Sequence, residues 1–419
     1  MTGDTMSDHG ATEDNSIRFN PFKREFINNP YPFYRQLRRL APFHRTMNML
    51  ILTRFQDVKA VLGSPHFSSA AIPDLVQAFE KKTQQSHLHL LHELGRKAIV
   101  FTDKPEHTRL RRLVGHGFSK NSIEPFGNII GNEIYSLVQR FENLPNKEFI
   151  GELADRVPLQ VLLRIMGLPL EDAGRISQWS AYLRYLLEPG FLTPNRLQKI
   201  YDILKSSYDY FRRVCINKYK RSDTDLISAL IHYQADDGDR LSEEEVVFSC
   251  IMVFVAGKET TKCLLGNGTA LLARYPQVYD KLRSDLSLIP AAIQEMLRLD
   301  SPLQYTKRIC REDVSLNGES IFANEQVLLC LGAANRDTDQ FKDADMFFPE
   351  REQAANLAMG HGIHNCLGTV LSKLIAEKFF ATIGRRWKNM VSVEAEPPRI
   401  DSSFILRGYK TLPLRITLD

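Results

Sequence analysis

The residues best placed to do chemistry gather around one cysteine. Cys366 stands in Met359-Gly360-His361-Gly362-Ile363-His364-Asn365-Cys366-Leu367-Gly368. A thiolate that binds iron must be kept as an anion, shielded from water and approached closely by backbone. Gly360, Gly362 and Gly368 permit tight turns and leave room for a flat cofactor. A helix expected to begin just after Cys366 aims its N-terminal N–H groups and dipole at the sulfur, which favours the thiolate. An axial thiolate pushes electron density onto iron and favours O–O cleavage. His364 is able to donate to a carboxylate on the rim of such a cofactor. The bland alternative is a cysteine packed in a glycine-rich turn, and a bare Cys-x-Gly would favour it.

Other groupings need a partner to be informative. Glu259-Thr260 sets a carboxylate beside a hydroxyl within Val255-Ala256-Gly257-Lys258-Glu259-Thr260-Thr261; alone, that reads as a solvated helix face. His107 and Arg111 are four apart and share one helical face, ordinarily a basic surface helix. Glu295 and Arg298 lie one turn apart and are able to pair. That spacing is cheap, because Glu93/Arg96, Glu106/Arg109 and Glu396/Arg399 share it.

Positioning these groups falls to a mostly helical chain. The pattern is helical from Glu106 to about Tyr275. Its longest stretch is Ser242–Tyr275, opened by a Ser-x-Glu-Glu start suited to a helix N-terminus. Ala256-Gly257 is a poor helix-forming pair inside it, marking a gap, a close contact or a bound group. Helices are expected at Phe33–Leu40 among prolines, at Phe55–Gly63, and from Leu367 to about Ile383. Residues 64–102 read as irregular with short helical patches. Short strands are expected at Met49–Thr53, Val314–Leu316, Ser320–Phe322, Val327–Leu331 and Leu412–Thr417. No βα alternation is present, so the class is mainly helical with small β regions.

Composition narrows the function. Hydrophobic residues make up 43% and charged residues 25% of 419, as in ordinary soluble globular proteins. A net charge of +4 is too small for this length to argue for nucleic acid. The longest apolar runs, Cys250–Gly257 and Val327–Ala334, fall far short of the roughly 20 residues of a membrane span. Residues 1–18 read as a polar, disordered leader, and a cytoplasmic protein is expected. Six scattered cysteines without a CxxC pair suggest neither a zinc site nor a disulfide framework.

Taken together and in order, the motifs resemble the cytochrome P450 family. The cysteine loop resembles its haem-binding signature, with Met359 where phenylalanine is usual; methionine is apolar and polarisable, so packing near the sulfur survives. Asp103-Lys104-Pro105-Glu106-His107-Thr108-Arg109-Leu110-Arg111-Arg112, Glu295-Met296-Leu297-Arg298, Ala334-Asn335-Arg336-Asp337 and Phe347-Phe348-Pro349-Glu350-Arg351 are similar to other segments of that family. The likeness runs from about Asn28 to Pro413.

The resemblance implies one cytochrome P450 domain over residues 19–419 and haem b (iron protoporphyrin IX) ligated by Cys366. It implies that His107 and Arg111 grip one haem propionate and Arg308 the other, with Met359, His364 and Gly368 around the cofactor. It places Ala256 and Gly257 at an oxygen-binding groove, Thr260 as a hydrogen-bonding hydroxyl there, and Glu259 as a proton relay. Glu295, Arg298 and Arg351 form a structural trio beneath the haem. The implied activity is insertion of one oxygen atom from O2 into a hydrophobic small molecule by hydroxylation or epoxidation, in secondary metabolism. The implied substrate is a polyketide or peptide-derived compound, free or bound to a carrier protein. Electrons would come from a ferredoxin or flavodoxin docking beside the cysteine loop, with Arg109, Arg112 and Lys373 as basic contacts; neither membrane nor nucleic acid is a partner. Substrate choice is expected in residues 64–100, Leu170–Pro194 and Leu303–Tyr305. Lys258, unusual beside Glu259, either pairs with an acid or meets a substrate carboxylate. A haem protein that binds a ligand or carries electrons without oxygenating is the competing class, and Glu259 with Thr260 counts against it.

Overall fold

Ser242 starts the central helix as its sequence requires. Its hydroxyl accepts from the Glu245 amide, and the Glu245 carboxylate accepts from the Ser242 amide, forming a capping box. The helix then runs unbroken over Glu243–Arg274, through Ala256 and Gly257. The expected gap is therefore not a break in the backbone. Alanine is the best helix former and glycine costs only about 1 kcal/mol against it, less than the packing of a helix buried on most of its surface.

The computed structural model describes residues 19–83, 88–188, 192–221, 223–352 and 355–419; the expected leader at 1–18 lies outside them. Helices packed around the central one enclose the main core, which includes Leu137, Phe141, Phe149, Leu162, Phe211, Phe254, Phe379 and Trp387. A five-stranded mixed sheet flanks this helical body, in the order Phe43–Thr46, Met49–Leu52, Gln326–Cys330, Tyr305–Cys310, Phe67–Ser68. Met49–Leu52 runs parallel to Gln326–Cys330, so strands from both halves of the chain share one sheet.

Strand alternation buries both faces of that sheet. Leu50, Leu52, Val327 and Leu329 enter one apolar cluster, while Ile51, Leu328, Cys330 and Tyr305 enter another. Two hairpin-like pairs complete the β structure: Val314–Leu316 with Glu319–Ile321, and Trp387–Ser392 with Leu414–Leu418. Several strands start or end a residue or two away from their expected limits, as strand ends commonly do.

Two stretches are more ordered than expected. The first helix among the prolines spans Tyr31–Leu40, because Pro32 occupies its first turn, where no intrahelical N–H is needed. Residues 64–102 contain helices Ile72–Thr83 and His89–Lys97. Among the described residues, no helix is long and apolar enough to cross a membrane.

Candidate active site

The cysteine loop is pressed against the helix Phe55–Gly63. Gly360 and Gly362 both have φ of 72°, where side chains are disfavoured. A Cβ on Gly362 would lie 2.5 Å from the Leu62 carbonyl oxygen and 3.0 Å from the Gly63 Cα. A Cβ on Gly368 would meet nothing within 4 Å, so open space lies beside it. Gly362→Ala is expected to cost at least about 1–3 kcal/mol from backbone strain, seen as a lower thermal midpoint of the protein. Gly368→Ala is the control and should leave that midpoint unchanged.

Around the sulfur, backbone holds the loop closed. The Cys366 amide donates to the Met359 carbonyl at 2.8 Å, so Met359 acts here through its main chain as well as its side chain. Arg111 donates to the carbonyl and side-chain oxygens of Asn365, both at 2.7 Å. The following helix is Thr369–Arg386, entered through Gly368 two residues later than expected. Burial pushes the Cys366 thiol above its usual range, opposed by the Gly368 amide, the Thr369 hydroxyl and Arg111. Cys366 is nevertheless exposed, whereas Cys215, Cys250, Cys263, Cys310 and Cys330 are buried. A side chain densely surrounded yet open lines a recess.

Several polar groups near the loop lack the partner their chemistry calls for. His107 is buried and its Nε2 has no hydrogen-bond partner; His364 is half-buried, and its Nε2 makes no hydrogen bond but lies 3.8 Å from Asp103 Oδ1. The two rings stand 4.1 Å apart between centroids. Burial, then the neighbouring His364 and Arg111, lower the His107 pKa to about 4. Arg308 is buried and donates to the Thr306 hydroxyl and the Lys307 carbonyl, with no carboxylate at ion-pair distance among the described residues. Burial lowers its pKa to about 10. Unmatched buried donors of this kind are costly, and a flat cofactor carrying carboxylates fits them and the open space at Gly368.

On the central helix, Ala256 is exposed while most of its neighbours are buried, and Gly257 and Thr260 are half-buried. The opening expected at Ala256-Gly257 is thus a notch made by missing side chains. The Thr260 hydroxyl donates to the Ala256 carbonyl at 2.7 Å. Glu259 is held on the other side: its carboxylate accepts from Lys258 at 2.9 Å and from Lys262 at 2.5 Å. Burial alone would raise the Glu259 carboxyl, but Lys262 and Lys258 outweigh it and hold the group at about 2. Lys258 pairs with acids, Asp155 at 2.8 Å being the second.

Beneath the loop, Glu295 and Arg298 form a buried bidentate pair with both contacts at 2.7 Å. Arg298 also donates to the carbonyls of Asn335, Ala344 and Met346, and Arg351 donates to Glu295 at 3.2 Å. Asn335 in turn accepts from the Leu357 amide, and Leu357 accepts from Gly360. The trio therefore braces the cysteine loop through one continuous chain of bonds.

Two expectations change. Arg109 is tied to Glu106, Asp239 and Glu245, and Arg112 to Asp237 and Asp239. They serve a neighbouring acidic turn and are not free basic contacts for a partner, because a charge already neutralised at contact distance attracts little at long range. Within the segments expected to set substrate choice, Ile72, Leu183 and Leu186 are buried in the main core and act in packing. Sequence reasoning gave no role to Asn365 or Lys262. The spacing of Lys262 from Glu259 was visible; Asp155, 103 residues before Lys258, carried no signal.

Comparison with known proteins is consistent with this geometry. The family model described as Cytochrome P450 matches residues 176–415. The "Biotin biosynthesis cytochrome P450" of Bacillus subtilis (strain 168) is 30% identical over 398 residues, covering 93% of this chain and 97% of that relative. The "Vitamin D(3) 25-hydroxylase" of Pseudonocardia autotrophica is 32% identical, covering 94% and 95%. Among solved structures, P450BioI in complex with hexadec-9Z-enoic acid ligated acyl carrier protein superposes with a TM-score of 0.84 at 28% identity, covering 94% of this chain and all of that one.

Proposed function

The chain belongs to the cytochrome P450 family and is a monooxygenase of that family, and on that premise we propose that it hydroxylates or epoxidises a hydrophobic secondary metabolite. The substrate class proposed is a polyketide, acyl or peptide-derived chain, presented free or on a carrier protein. A relative of the same fold has been crystallised with an acyl carrier protein, which supports the second form. A ferredoxin or flavodoxin is the proposed electron donor. The observation that carries the reading is the open Cys366 thiol beside buried His107, whose Nε2 has no hydrogen-bond partner, and buried Arg308, which has no carboxylate at ion-pair distance among the described residues.

When bound, haem b held by a thiolate supplies reductive activation of O2 and transfer of one oxygen atom. The protein's own residues do the rest. Cys366 would provide the thiolate on binding iron; the Gly368 amide, the Thr369 hydroxyl and Arg111 favour the anion against the opposing effect of burial. His107, Arg308 and His364 are the proposed donors to the haem carboxylates. Arg111 is spent chiefly on Asn365 and so steadies the loop. Ala256 and Gly257 leave the notch, Thr260 offers its hydroxyl there, and Glu259 moves protons toward it.

Spin-state shift of the Soret band, screened over fatty acyl, polyketide and peptide-derived compounds, identifies the substrate. Absence of any Soret band in protein expressed with haem precursors would remove the proposal. With a substrate in hand, Thr260→Ala is expected to lower product formed per NADPH about tenfold or more, since positioned proton transfer contributes about 10²–10⁴-fold. NADPH consumption should continue, with hydrogen peroxide replacing product.

A further inference from the structure

Asp103 gathers three segments of the chain at one residue. Its Oδ2 accepts from the Ser68 hydroxyl at 2.5 Å and from Arg311, and its Oδ1 accepts from the Ser69 amide at 3.1 Å. His364 Nε2 lies 3.8 Å from Oδ1, and the Asp103 carbonyl accepts from the His107 amide at 2.8 Å. The end of the strand Phe67–Ser68, the cysteine loop and the start of the helix Glu106–Gly117 therefore meet here. Burial would raise the Asp103 carboxyl, but His364, Ser68, Ser69 and Arg311 outweigh it and hold the group well below the usual carboxylate range.

The two serines that reach this carboxylate differ in one respect. Ser68 Oγ is used twice, donating to Asp103 and accepting from the Ala70 amide at 3.0 Å. Ser69 Oγ is buried and has no hydrogen-bond partner. His107 Nε2 and His364 Nε2 are in the same condition, and all three residues touch or adjoin Asp103. A buried hydroxyl left unpaired is costly and calls for an explanation. Three unpaired groups around one residue fit a ligand with several acceptor sites, and a carboxylate offers two oxygens with about four lone-pair sites.

We propose that Ser69 is a further cofactor-binding residue, donating its hydroxyl to the haem carboxylate beside His364. Asp103 holds the Ser69 amide and so fixes the backbone from which that hydroxyl projects. Arg311 neutralises the charge of Asp103 beside the incoming carboxylate. Ser69 lies just ahead of the helix Ile72–Thr83. Bound cofactor therefore ties down the entry to a segment in which substrate choice is expected. The inference rests on the haem reading given above.

The test uses the haem-loaded protein and does not depend on turnover. In Ser69→Ala, haem transfer to apomyoglobin is expected to be about tenfold faster, the scale of one hydrogen bond to a charged group. The haem-propionate bending band in the resonance Raman spectrum should move to lower frequency, a change that general loosening of the fold would not produce. Ser68→Ala is the control: it removes a neighbouring hydroxyl already bonded to Asp103 and should leave the bending band in place. An unmoved band or an unchanged transfer rate in Ser69→Ala, or the same band shift in Ser68→Ala, would overturn the assignment. The two levels separate cleanly. Wild-type protein that takes up no haem ends the haem reading itself, whereas a haem-loaded Ser69→Ala protein with the wild-type band removes only Ser69.

Discussion

Cys366→Ser is expected to give a folded protein with no measurable monooxygenase activity. Serine nearly matches cysteine in size, and the bonds that shape the loop survive the change. The residue 366 amide still reaches Met359, Thr369 still donates to the residue 366 carbonyl, and Arg111 still grips Asn365. What is lost is the anionic sulfur. A hydroxyl stays protonated where a thiol beside the Gly368 amide, Thr369 and Arg111 ionises on binding iron. Without a charged axial ligand, the electron push that favours O–O cleavage disappears. The reduced carbonyl complex should show its Soret band at shorter wavelength than the wild type, while thermal unfolding stays close to wild type. Retained turnover in Cys366→Ser would remove Cys366 from its assigned place.

Arg298→Ala is expected to be strongly damaging for stability. Its side chain is 2% exposed and that of Glu295 5%. Removing one partner of a buried pair costs about 3–5 kcal/mol, because the other charge is left uncompensated. That is a large part of the roughly 5–15 kcal/mol that holds a typical domain folded. Arg298 also serves the carbonyls of Asn335, Ala344 and Met346, which would lose their donor. Urea unfolding should show the loss directly. Haem retention should fall in parallel, since Asn335 holds Leu357 and Leu357 holds Gly360. Arg351→Ala should cost less, because Glu295 keeps its two bonds from Arg298. An Arg298→Ala protein with unchanged unfolding midpoint would show that the network is dispensable.

The sequence by itself singled out Cys366 as the proposed sulfur ligand and determined the mainly helical class and the start of the central helix. Those features are local: a glycine-rich loop, a helical period and a capping box are each written within a few consecutive residues. The pairing of Glu295 with Arg298 was legible for the same reason, although three other pairs at that spacing made it ambiguous until Asn335, Met346 and Arg351 were seen to converge on it. Tertiary structure alone decided what happens between distant segments. It turned the expected gap at Ala256-Gly257 into a notch in an unbroken helix, because burial outweighs the small cost of one glycine. It spent Arg109 and Arg112 on Asp237, Asp239 and Glu245, acids far along the chain.

The same division runs through the site. Cys366 could be named from its loop, but that it opens into a recess while the other five thiols are buried depends on packing around it. Glu259 and Thr260 are adjacent in sequence, yet their neighbours on the helix point to opposite sides. Which carboxylate shares the lysines was settled only when the fold brought Asp155 to them. Short-range chemistry is encoded by residue type and spacing, whereas charge partnership in a protein interior depends on which segments are buried together.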